Sequence, residues 1–98
     1  MRTFRFLPEA RLELLQQIEY YASVREGLGV RFEQAVSDVV RRAVAHPEQG
    51  ASRARDTRRM LVKKFPFSVI YRVTGDVVLI VAVADSRRRP DYWAPRVR

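Results

Sequence analysis

Cysteine is absent from this chain of 98 residues, and histidine occurs once, at His46. Without a thiol there is no disulfide, no thiolate metal site and no Cys nucleophile. With a single imidazole there is no Ser-His-Asp set, no Cys-His pair and no His-x-His metal motif. Glycine is scarce as well: none of Gly27, Gly29, Gly50 and Gly75 opens a strand-to-helix turn with the spacing of a phosphate-cradling loop. Long apolar runs are missing. The longest, Val77 to Ala84, has a buried strand's length and falls far short of the roughly 20 residues a membrane helix needs. The opening Met1-Arg2-Thr3-Phe4-Arg5-Phe6 runs into proline and acid rather than an apolar segment, so no secretory signal and a cytoplasmic location are expected. Acidic residues are sparse in the second half, where residues 51–98 hold four against twelve basic ones, while residues 1–50 hold seven of each. The formal net charge of +8 is thus concentrated on one half, which favours a polyanion or an acidic protein as partner.

What is present fits one domain, residues 1–98, since a second core would be too small to bury enough apolar surface. Arg2 to Phe6 alternates polar and apolar residues as a short strand does, and Pro8 stands where the first turn of a helix tolerates a missing N–H. From Glu9 onward Leu14, Leu15, Ile18, Tyr21 and Ala22 fall on one helical face, with the helix ending near Gly27. A second helix follows Gly29, with Phe32, Ala35, Val36, Val39, Val40 and Ala43 in amphipathic register and His46-Pro47 as its stop. Two helices joined so closely predict an antiparallel hairpin. Beyond a polar stretch, Ala51 to Thr57, the pattern predicts strands over Met60 to Phe65, Phe67 to Val73 and Val77 to Ala84, the last two joined by Thr74-Gly75-Asp76. The fold class expected is therefore α+β: an N-terminal strand, an antiparallel helix hairpin, a three-stranded antiparallel meander and a short C-terminal segment. Val77 to Ala84, apolar on both faces, is expected to be central.

Few residues are left to carry chemistry. His46 closes the second helix, where an imidazolium gains from the helix dipole, a structural role. Asp56, Asp76, Asp85 and Asp91 lie in different loops or strand ends and support no metal site. The candidates that remain are basic: Arg53, Arg55, Arg58, Arg59, Lys63, Lys64, Arg72, Arg87, Arg88, Arg89, Arg96 and Arg98. Arginine forks grip phosphates and carboxylates, and cations aimed at developing phosphorane charge accelerate RNA cleavage without histidine. A solvated basic face is the plainer alternative. Within Arg87 to Arg89 at least one side chain is expected to pair with Asp85 or Asp91. Tyr92 and Trp93 could stack on a base, or fold back to cover the sheet.

In order and spacing these pieces resemble the RelE/ParE superfamily of bacterial toxins, the toxin halves of type II toxin–antitoxin pairs. The resemblance runs through Pro8-Glu9-Ala10, Tyr20-Tyr21, Leu28-Gly29-Val30-Arg31-Phe32, Pro47, Arg58, Phe65-Pro66-Phe67 with Ile70-Tyr71-Arg72, Ala82-Val83-Ala84 and Arg87-Arg88-Arg89-Pro90-Asp91-Tyr92-Trp93. It implies one of two activities: RelE-like cleavage of mRNA on the ribosome, or ParE-like poisoning of DNA gyrase. The helix hairpin with its Leu-Gly-x-Arg-Phe junction resembles ParE more closely. Asp85 stands where many relatives carry histidine, Ser68 where RelE-like ribonucleases place an arginine, and Leu61 at one of their lysine positions. The expectation is a ParE-like toxin without catalysis or cofactor, with Arg58, Arg72, Arg87, Arg88 and Trp93 as its target-binding surface. If the chain is instead a ribosome-dependent endonuclease, the resemblance implies Arg59, Arg87 and Tyr92 as the catalytic set, with no metal. A degenerate, non-toxic antitoxin-binding module is the third alternative. All three imply a cognate antitoxin, its C-terminal segment acidic and apolar, held in a toxin–antitoxin hetero-oligomer and involving no membrane.

Overall fold

A computed structural model describes residues 2–98. The chain begins with β1 (Thr3–Phe6) and passes directly into α1 (Pro8–Val24), whose first turn contains Pro8 and Glu9. Pro8 costs nothing there, because the first N–H groups of a helix have no intrahelical acceptor. A tight turn then leads into α2 (Leu28–Ala45). The two helices lie close because of Gly29. A Cβ at that position would sit 2.7 Å from the Ile18 carbonyl oxygen and 3.1 Å from the Ala22 Cβ. The backbone His46 N–H closes α2 on the Arg42 carbonyl at 2.7 Å, and the exposed imidazole takes no part in the surface described below.

After a 3-10 turn over Pro47–Gln49 come β2 (Ala51–Arg53), β3 (Thr57–Leu61), β4 (Phe67–Thr74) and β5 (Val77–Asp85). They form one five-stranded sheet in the order β1-β5-β4-β3-β2. The expected meander is present, and it is extended at both edges. Ala51–Arg53, read as loop, pairs antiparallel with Thr57–Arg59, and β1 joins β5 in parallel with Thr3 opposite Val77 and Phe6 opposite Ile80. β3 also sits earlier than the expected Met60 to Phe65. Its pairing with β4 sets Arg58 opposite Tyr71 and Leu61 opposite Ser68, and Lys64, at φ 69°, bends the chain out of the strand.

The helices cover one face of the sheet. Phe32, Val36, Val39, Val40 and Ala43 of α2 pack there with Met60, Val69, Tyr71, Val78, Ile80 and Val83. α1 is less deeply seated. Ala10 alone is fully buried, Leu14, Ile18 and Tyr21 are half-buried, and Leu15 stays 50% exposed. On the opposite face, here the back face, Ile70, Val81, Ala82 and Ala84 are covered by Trp93 and Val97 of the returning C-terminal segment. β5 is central, as its two-sided apolar pattern requires: Val78 and Ile80 through Ala84 are buried between β1 and β4. Among the described residues no helix is long and apolar enough to cross a membrane.

Candidate target-binding surface

Strand alternation decides where the basic side chains go, because cross-strand partners share a face. Arg58 pairs with Tyr71 and so lies on the helix side, where its guanidinium donates to the carbonyls of Gly50 (2.7 Å) and Glu48 (3.4 Å). Arg59 pairs with Ile70 and lies on the back face. Arg72, opposite Leu79, also belongs to the back face, but its guanidinium is spent on the carbonyls of Arg55 and, at 2.5 Å, Arg98.

The turn after β5 carries the arginine triplet. Asp85 accepts from the Arg87 backbone N–H (2.9 Å), Nε (3.0 Å) and Nη2 (2.7 Å). This clamp holds the Asp85 carboxyl below its ordinary range, the Arg87 side-chain hydrogen bond being the main cause. Arg88 lies over the Tyr92 ring, 3.7 Å from its centre, and its guanidinium is 3.6 Å from Glu13. Arg53 reaches Asp91 at 3.6 Å. Between the turn and the sheet a small cavity of about 140 Å³ is lined by Arg53, Arg59, Arg88 and Arg89 together with Ser68 and Tyr92.

Tyr92 is anchored from the other side. Its hydroxyl donates to Glu13 at 2.5 Å, and Arg96 holds the same carboxylate through two bonds of 2.8 and 3.0 Å. Burial first, and the hydrogen bond to Glu13 second, push the Tyr92 phenol well above its ordinary pKa.

Of the five residues expected to face a target, the structure therefore leaves Arg87 and Arg88 together at the surface. Arg58 is on the far side of the sheet, Arg72 is tied to backbone carbonyls, and Trp93 is 3% exposed. Trp93 as a contact residue needs correcting: its ring is one of the main covers of the back-face core. Of the expected catalytic set, Arg59 and Tyr92 line the same cavity, whereas Arg87 is not among the residues that line it. Glu13 was missed by sequence reasoning, and Arg53 and Arg89, though among the basic candidates, were not assigned to the target-binding surface. Arg53 reaches the cavity only because β2 pairs with β3, and Glu13 lies on a helix remote in sequence from its partners. Among the described residues no group of three or more His, Cys, Asp or Glu side chains could hold a metal ion.

A family model for the ParE toxin of the type II toxin–antitoxin system parDE matches residues 4–90. One chain of a solved structure titled "Chromosomal ParDE TA system from P. aeruginosa" has the same fold, with a TM-score of 0.73 and 22% sequence identity over 87% of this chain and 96% of that one. Among curated proteins none matches the sequence.

Proposed function

We propose that this chain, which belongs to the ParE toxin family of type II toxin–antitoxin systems, arrests growth by poisoning DNA gyrase through the basic back face, performs no catalysis, and is restrained in the cytoplasm by a cognate antitoxin. The observation that carries this reading is the state of Tyr92 and Arg87. A general acid or base works best with a pKa near the operating pH. The Tyr92 phenol is pushed away from that range, and its proton is donated to Glu13. The Arg87 fork, which would stabilise phosphorane charge, is filled by Asp85. What the face offers instead is a cluster of cations, Arg53, Arg59, Arg88 and Arg89, around a shallow cavity. Such a cluster supports docking to an acidic protein surface or to the DNA that gyrase holds.

The test is pulse-labelled incorporation of thymidine and of methionine, minutes after the chain is induced without its antitoxin. An early fall in thymidine alone supports gyrase poisoning. An early fall in methionine overturns it in favour of ribosome-dependent mRNA cleavage, and growth that continues unchanged indicates a non-toxic binding module.

A further inference from the structure

The back-face cavity of about 140 Å³ is too small for a whole small-molecule ligand, whose sites run to roughly 300–1,000 Å³. It has room for one group of a larger molecule. Strand register fixes which side chains meet there: Arg59 stands opposite Ile70 and Ser68 opposite Ala84, and all four line the cavity. Ser68 is a buried polar residue, 5% exposed. Its hydroxyl has no hydrogen-bond partner among the described residues, yet it is not one of the partnerless atoms sealed from solvent, so it opens on the cavity.

The two carboxylates that line the cavity are already engaged, Asp85 by Arg87 and Asp91 by Arg53 at 3.6 Å. Arg88 lies over Tyr92 and close to Glu13. Arg59, half-buried, and Arg89, exposed, have no ion-pair partner among the described residues. Two free guanidinium forks and a hydroxyl around a space of this size make a donor set that lacks an acceptor, and an anion supplies one.

The apolar side chains around the cavity decide between a protein carboxylate and a phosphate. Protein partners are held by apolar anchors at the centre of a contact, with charges at its rim. Here Ile70, Ala84 and Trp93 are buried and Arg88 covers the Tyr92 ring, which leaves Pro90 as the one exposed apolar residue. A contact made of cations with almost no apolar anchor suits a nucleic-acid backbone, which binds through its phosphates.

We propose that this cavity seats one backbone phosphate of duplex DNA, with Arg59 and Arg89 gripping its non-bridging oxygens and the Ser68 hydroxyl donating to one of them. The inference rests on the gyrase reading, which supplies the DNA, and it deepens that reading by naming the group that the basic face grips.

The probe is a fluorescently labelled DNA duplex of mixed sequence, titrated with the purified chain at several salt concentrations. Arg59→Gln with Arg89→Gln is expected to weaken binding at least about tenfold and to lower the slope of log affinity against log salt by about 1, as the loss of one phosphate contact requires. Ser68→Ala, which removes no charge, is expected to weaken binding about threefold to tenfold. Arg25→Gln with Arg31→Gln removes the same charge from exposed positions at the helix hairpin and is expected to change affinity less than twofold. Thermal unfolding of each variant confirms that it is folded. No binding of the parent to the duplex overturns the proposal, as does tighter binding to single-stranded RNA. Equal losses in the two arginine pairs would reduce the effect to diffuse charge, and an unchanged Ser68→Ala would remove the built contact; either result overturns the site. Supercoiling by gyrase, followed with the parent chain present, tests the underlying reading separately: duplex binding that depends on Arg59, Arg89 and Ser68 without any inhibition of gyrase supports the site and overturns the gyrase reading.

Discussion

The Tyr92 hydroxyl donates to the Glu13 carboxylate at 2.5 Å across 79 positions of sequence, tying the C-terminal segment to the first helix. The same carboxylate accepts the Val83 N–H at 3.1 Å, and Arg96 donates to the Val81 carbonyl at 3.0 Å. β1 reaches only as far as Ile80, so beyond it β5 has no strand on that side. Glu13 and Arg96 stand in for the missing one.

Glu13→Ala would leave the Val83 N–H unpaired and Arg96, its side chain only 16% exposed, without its carboxylate. Removing one partner of a buried pair costs about 3 kcal/mol, which lowers the unfolding midpoint of a domain this size by roughly 10–20 °C. Glu13→Gln, which keeps an acceptor, is expected to lose about half as much. Thermal denaturation of both variants checks this, and a change below about 0.5 kcal/mol for the alanine variant would show the network to be dispensable.

Tyr92 also gives the fold an alkaline limit. Its folded-state pKa is raised above the ordinary 10.0, so its contribution to stability is complete below pH 10 and is lost as the pH rises toward the folded-state value. Between pH 9 and 11 the parent is expected to lose up to about 1 kcal/mol more than Tyr92→Phe, whose phenylalanine cannot ionise. Denaturant titrations of the pair at both pH values measure the difference, and parallel pH profiles would contradict it.

Much of this framework is legible in the sequence, for physical reasons that differ by element. The α2 residues Phe32, Val36, Val39, Val40 and Ala43 are buried because their spacing matches one helical face, and helical spacing needs only local information. The Val77 to Ala84 run reads as central because apolar residues on both faces require cover on both. β2 is invisible by the same logic: Ala51–Arg53 has no periodicity of its own and becomes a strand because β3 offers an edge. The cavity fails to show for a related reason, since Arg53, Arg59 and Arg89 converge only through sheet register.

Gly50 is required by a close approach. The Tyr71 hydroxyl accepts the Gly50 N–H at 3.1 Å and donates to the Pro47 carbonyl at 2.5 Å, pinning the end of the helix hairpin to the sheet. A Cβ on Gly50 would collide with that hydroxyl and lie 2.9 Å from the Arg58 Cβ. Gly50→Ala is expected to cost about 2 kcal/mol, and Tyr71→Phe, which removes both bonds but leaves the ring packed, about 1–2 kcal/mol. In the Tyr71→Phe background the alanine should cost less, because the colliding oxygen is gone. A double-mutant cycle by chemical denaturation measures that coupling, and strict additivity would refute the contact.

The last prediction separates the residues that face a target from those that support them. Arg87 and Arg88 are exposed, so reversing both is expected to abolish growth inhibition on induction without antitoxin. Reversal sets new carboxylates beside Asp85 and Glu13, which could unfold the turn, and Arg87→Gln with Arg88→Gln provides the neutral control. Toxicity that survives in both folded variants would exclude the triplet from the target surface. Trp93→Phe behaves differently if the ring only packs. Filling most of the same space, it is expected to cost about 1–2 kcal/mol and leave toxicity intact once the protein is folded. Arg58→Ala should likewise lower stability through its lost bonds to Gly50 and Glu48 while leaving target binding unchanged, because its guanidinium is on the far side of the sheet. Growth curves read beside thermal midpoints distinguish the two classes. A folded Trp93→Phe or Arg58→Ala chain that no longer inhibits growth would return that residue to the contact surface.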